Sequence, residues 1–164
     1  MQFKIGDLVV HPAFGIGHIV EIEEKQFSTN EAMHLYYKIA RPKHTMWIRV
    51  EAQEASGLRL VTIGSNLDQY RDVLKSPPVS LNANHQQRQL ELGSRLQEGS
   101  FRGMCEVMRD LTAWNLLKPL DQADTTTLQK TRVSLYEEWA TAAGVSATAA
   151  MNEVDLLLQS RQLA

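Results

Sequence analysis

The chain changes its hydrophobic period once. Up to about residue 63, apolar and polar residues alternate in short runs; from 65 onward, apolar residues recur at three- and four-residue spacing. The first period is that of a half-buried strand and the second that of an amphipathic helix. Strands grouped before helices exclude a βαβ repeat and predict an α+β chain. Residues 1–64 are expected to form a small, strongly bent antiparallel sheet or SH3-like barrel, and residues 65–164 a compact all-α helical domain. The boundary falls at Ile63-Gly64-Ser65.

Within the first half, strands are predicted over 8–11, 16–27, 34–40, 45–50 and 57–61. Pro12, Ser28-Thr29-Asn30 and Arg41-Pro42-Lys43-His44 supply turn chemistry, and Gly15 and Gly17 permit a tight bend. Helices are predicted over 66–75, 84–98, 101–117, 122–143 and 147–159, with a linker at 79–83. Ser100, Asp121 and Ser146 stand where N-caps are needed, and Gly144 where a helix must stop. The stripe of Met104, Cys105, Met108 and Leu111 reads as a bundle core. Leu128, Leu135 and Trp139 continue it, with Ala147, Ala150, Met151, Val154, Leu157 and Leu158; Trp114 is expected to join them.

Charge bounds the function. Seventeen Lys and Arg face 19 Asp and Glu, a formal net charge of −2, which argues against a basic nucleic-acid coat or a polybasic membrane anchor. Residues 1–75 balance at nine basic and nine acidic, so the deficit lies in 76–164, with eight basic and ten acidic. Cys105 is the single cysteine, which excludes an internal disulfide and fits a reducing compartment. No apolar run reaches membrane-spanning length and the N-terminus has no signal pattern, so a soluble cytoplasmic protein is expected.

No catalytic motif emerges. Gly15-Ile16-Gly17 lies between strands, not before a helix, and there is no Walker loop, His-Glu-x-x-His helix or Gly-x-Ser-x-Gly elbow. The histidines His11, His18, His34, His44 and His85 lack metal-pair spacing. No enzyme, metal, cofactor or small-molecule substrate is therefore expected. Glu23-Glu24 and Glu137-Glu138 read as solvated faces. So do Arg88, Arg95, Arg102 and Arg109, with Glu91, Glu98, Glu106 and Asp110 as helical partners.

Strand parity carries the positive signal. Met46, Ile48 and Val50 point one way, with Tyr37, Ile39 and Leu35 on the next strand and Val20 and Ile22 on the one before. The opposite face then carries Lys25, Phe27, Tyr36, Trp47 and Arg49. Aromatics among basic residues are what protein interfaces enrich. The plain alternatives are cross-strand pairing and packing against the helical half.

The run Phe3-Lys4-Ile5-Gly6-Asp7-Leu8-Val9-Val10-His11-Pro12, followed by Phe14-Gly15-Ile16-Gly17, resembles the N-terminal signature of the CarD/CdnL transcription regulators. Tyr36-Tyr37-Lys38-Ile39, the 45–50 segment and Gly57-Leu58-Arg59 continue the likeness. So do Val73-Leu74-Lys75-Ser76-Pro77, Asn84 with Arg88, and Glu106-Val107-Met108-Arg109-Asp110-Leu111. The resemblance implies a Tudor-like N-terminal module that binds the RNA polymerase β subunit at its protrusion/lobe. It implies a helical domain at the upstream edge of the promoter bubble that stabilises the open complex without reading bases, in a protein nucleoid-associated through polymerase.

Carried over residue by residue, the resemblance implies a basic polymerase contact at Lys25, which keeps the charge. At Trp47 the family commonly has another basic residue, so an apolar or cation–π contact is implied instead. Well-studied members place a minor-groove tryptophan at the position of His85; here Arg88 is kept, while Gln87 and Leu90 stand where basic neighbours are expected. His85 and Arg88 are thus the implied nucleic-acid residues, with contact to promoter DNA weak and non-sequence-specific. The competing readings are a Tudor/SH3-like protein–protein adaptor with little or no DNA contact, and an enzyme using the histidines.

Overall fold

The computed structural model describes residues 2–162. It divides into two compact units that meet between Val61 and Thr62. The first is a five-stranded antiparallel sheet of β1 (Leu8–His11), β2 (Gly15–Lys25), β3 (His34–Ala40), β4 (Thr45–Arg49) and β5 (Arg59–Leu60), in the order β4-β3-β2-β1-β5. A 3-10 turn (Val50–Ala52) and α1 (Gln53–Ser56) follow β4. The predicted fifth strand shrinks to two residues because Gly57, at φ 78°, closes α1 instead of opening a strand.

The core of this unit is Phe3, Val9, Ile19, Tyr37, Ile39 and Leu58, with Met46, Ile48 and Val50 packed against it. The Tyr37 hydroxyl is buried with partners, donating to Gln53 Oε1 at 2.6 Å and accepting from the Phe3 N–H at 3.4 Å. Two inward assignments shift, those of Val20 and Leu35. The β2–β3 register runs Ile19 opposite Ile39, then Glu21 opposite Lys38, so Val20 is the extra residue of a bulge and Ile19 fills the core. Below the bulge, Ile22 opposite Tyr37 keeps the expected parity. Leu35, expected inside, sits near the strand end and is exposed.

The second unit holds α2 (Leu67–Lys75), α3 (His85–Gln97), α4 (Phe101–Leu117), α5 (Gln122–Ala143) and α6 (Ala147–Gln162). Local chemistry sets their ends. Asn84, Ser100 and Asp121 side chains accept the N–H of Gln87, Gly103 and Asp124 respectively, and Ser146 Oγ accepts that of Ala149. Gly144 ends α5 at φ 70°. Cys105, Met108, Leu111, Leu135 and Trp139 are fully buried at the centre, and Leu67 and Leu74 of α2 join them. Each such aliphatic side chain contributes about 1.5–3 kcal/mol by leaving water.

Several polar groups expected on solvated faces are interior. Glu138 is buried and accepts from the Thr62 N–H at 3.0 Å and its hydroxyl at 2.8 Å. Arg109 is buried on Asp110, 2.8 Å away, and on Ser76 Oγ at 2.8 Å; Asp110 in turn accepts from the Val79 N–H and pairs with Arg95. Arg102 and Glu106 do form the expected surface pair at 2.9 Å. Trp114 is half-buried, not core, lying between Arg88 and Lys118 at 5.4 Å from each. Among the described residues, no helix is long and apolar enough to cross a membrane.

Candidate functional site

The outer face of β2, β3 and β4 gathers four of the five side chains named from parity into one cluster. Lys25 Nζ stands 4.0 Å from the Trp47 ring centroid and 5.3 Å from that of Phe27. Phe27 lies just past the end of β2, yet its ring meets Tyr36 edge-on at 5.0 Å and Trp47 at 5.8 Å. Such edge contacts are worth about 0.5–1.5 kcal/mol each beyond area burial. Tyr36 is buried beneath the others, while Phe27 is 53% exposed. Arg49 lies opposite Tyr36 in the β3–β4 register but turns its guanidinium to Glu51, 3.6 Å away.

Glu23 belongs to this face as well. It accepts a 2.9 Å hydrogen bond from the Trp47 indole N–H. That bond, with Lys25 and Lys38 nearby, holds its carboxyl below the ordinary range. In the sequence alone Glu23 reads as a solvated charge. The missing signal was register: Glu23 sits opposite Tyr36, one strand away from Trp47, and only the strand order brings the two together. The result is an indole fixed by a hydrogen bond at its edge and a cation at its face. A rigid aromatic with satisfied polar groups is a good interface anchor, since little rotamer freedom is left to lose on binding.

In the helical unit the two named residues behave differently. His85 opens α3 and is exposed, with Nδ1 2.5 Å from Asp121 Oδ2. Arg88 is only 6% exposed. Its guanidinium donates from Nε to Asp124 Oδ2 and from Nη2 to Asp121 Oδ2, both at 3.0 Å, and from Nη1 to the Asn82 carbonyl at 3.0 Å. The Asp124 and Asp121 carboxylates raise the Arg88 pKa above its ordinary value. Asp121 is held below the ordinary carboxyl range, first by the Asp124 backbone N–H and then by His85 and Arg88. Arg88 therefore pins the start of α3 to the start of α5, with its guanidinium turned to two carboxylates and a carbonyl. Its partner lies 36 residues away, so no helical spacing could reveal it.

Among the described residues, no cluster of three or more His, Cys, Asp or Glu could hold a metal ion. The first unit matches the family model described as CarD-like/TRCF RID domain over residues 3–61. The second matches the model described as CarD, C-terminal domain, over residues 69–155. The chain is also similar to the Bacillus subtilis (strain 168) protein named "Putative transcription factor YdeB", at 24% identity over 145 residues, covering 88% of this chain and 95% of that protein.

Proposed function

The chain belongs to the CarD family of transcription-associated proteins, and from that premise we propose that it binds the RNA polymerase β subunit through the Lys25–Trp47 face. The helical unit then modulates open-complex stability near the upstream edge of the bubble. The family is of a transcription-factor type and not an enzyme family. The observation that carries the polymerase reading is the cluster of Lys25, Phe27, Tyr36 and Trp47 on the outer sheet face. It combines an exposed phenyl ring, a fixed indole and a cation whose charge stays near the surface. Such a face suits a partner that offers an apolar patch rimmed by carboxylates.

The test is capture of an isolated β protrusion/lobe fragment by the full chain. Trp47→Ala removes the anchor and Lys25→Glu reverses the charge; each is expected to weaken capture at least tenfold, as central anchors do. Undiminished capture by both variants refutes the assigned face.

A second reading, a protein–protein adaptor with little DNA contact, is favoured by one observation: Arg88 is spent on Asp121 and Asp124. The lifetime of a promoter open complex, with and without the protein, separates the two. A longer lifetime supports the regulator, and an unchanged lifetime with intact capture supports the adaptor.

A further inference from the structure

A second basic and aromatic cluster lies along the sheet from the Lys25 face, where the 12–14 turn and the 41–44 turn come together. β2 pairs with β3 so that Lys25 opposes His34 while His18 opposes Ala40, which puts the two clusters at opposite ends of the same strand pair. Gly17 brings the second cluster together. A Cβ at this position would stand 2.8 Å from the Ala40 carbonyl oxygen and 3.1 Å from Arg41 Cγ, so only glycine lets the Arg41 stem lie against β2. Arg41 then reaches 5.8 Å from the Phe14 ring centroid.

Phe14 is 49% exposed, and the His11 ring lies beside it at 4.8 Å with an interplanar angle of 33°. The Ala13 N–H donates to His11 Nδ1 at 3.0 Å, which fixes the imidazole in the turn. Burial, then the Arg41 charge, lowers the His11 pKa below its ordinary value, so the ring is a neutral plane at physiological pH. Lys43 and His44 are exposed in the neighbouring turn, closed by the Arg41 N–H donating to the His44 carbonyl at 2.8 Å. Residues 8–20 and 32–50 contain no Asp or Glu at all. Among the described residues, neither Arg41 nor Lys43 is held in an ion pair.

We infer that the Phe14–His11 platform with Arg41 and Lys43 is a contact site for single-stranded nucleic acid. A base stacks on the exposed Phe14 ring, which His11 backs, and the two cations take adjacent phosphates. An acidic peptide would use the cations but has no need of an exposed, uncharged ring beside them. This site lies outside the helical unit, where the family resemblance placed DNA contact, and away from the Lys25–Trp47 face.

The test uses the full chain and an oligothymidylate of about ten nucleotides, within the ~4–16 spanned by single-strand modules. Amide chemical-shift changes are expected at Phe14, Gly15, Arg41, Lys43 and His44. The dependence of log affinity on log salt is expected to have a slope near −1.4, about −0.7 for each of two phosphates. Phe14→Ala is expected to weaken binding roughly fivefold to a hundredfold, the range for one lost stacking partner. Arg41→Gln with Lys43→Gln should abolish most of the salt dependence, and Trp47→Ala should leave oligonucleotide binding unchanged. Shifts confined to the helical unit overturn the inference, as does unaltered binding by Phe14→Ala with a native circular-dichroism spectrum. A poly-glutamate peptide that shifts the same amides as strongly as the oligonucleotide overturns it in favour of an acidic protein segment.

Discussion

Arg88→Ala separates a structural arginine from a DNA-contacting one. In the native chain this guanidinium meets Asp124, whose side chain is 1% exposed, and Asp121 at the cap of α5. Truncation leaves the Asp124 carboxylate in the interior without its cation. Breaking a buried ion pair from one side costs about 3–5 kcal/mol. Gln89 Nε2 still donates to Asp124 Oδ1, which places the expected loss near the lower end, about 3 kcal/mol. Against a typical domain stability of about 5–15 kcal/mol that is a large fraction. With a urea m-value of about 1–3 kcal/mol/M, the midpoint falls by roughly 1–3 M. The assay is urea unfolding of the full chain followed by the far-ultraviolet helical signal. Arg88→Lys keeps the charge but loses the fork that reaches two carboxylates at once, and falls in between. Arg88→Met combined with Asp124→Leu removes both charges and recovers most of the loss. An unmoved midpoint for Arg88→Ala refutes the reasoning, as does a double variant no more stable than the single one.

Three further outcomes are expected. Asp121 has a depressed folded-state pKa, so its contribution is fully present above the ordinary carboxyl value of 3.8 and is lost as pH falls through the lower folded value. Asp121→Asn keeps a capping oxygen but removes this dependence, and the difference in urea midpoint between neutral and strongly acid pH should shrink. Gly64→Ala would bring a Cβ to 2.5 Å from the Ala142 carbonyl oxygen, and this clash with backbone should cost about 1–3 kcal/mol in the same unfolding assay. Burial pushes the Cys105 thiol well above its usual range, so a thiol reagent at mildly alkaline pH should label it only as fast as the helical unit unfolds, and rapidly in urea.

What the sequence disclosed was mostly local. Asn84, Ser100, Asp121 and Ser146 each bond an amide within three residues, so helix starts can be read from short windows. Alternation likewise located Tyr37 and Ile39 inside and Tyr36 and Trp47 on the other face. What it hid depends on partners distant in the chain. The Val20 bulge is a mismatch between two strands and leaves no mark in either one alone. Trp47 finds Glu23 across 24 residues and Arg109 finds Ser76 across 33. Charges at helical spacing look solvated until a distant segment supplies their partners, as Asp121 and Asp124 do for buried Arg88, Ser76 for Arg109 and Thr62 for Glu138. The α1 turn has four residues, too few to show a period in the sequence.

The buried clasp between Glu138 and Thr62 also fixes where the helical unit can be cut. The family likeness begins at residue 69 and the change of hydrophobic period at 65, and either would look like a natural starting point for an excised fragment. Both discard Thr62, and with it two donors to a carboxylate that has no exposure to water. A start at 76, just before Pro77 and Pro78, also strips Leu67, Val73 and Leu74 from the core. The smallest fragment that keeps its own interior satisfied begins at Thr62. Any peptide spacer meant to lengthen the tether between the two halves belongs immediately before that residue, where it leaves every one of these bonds in place.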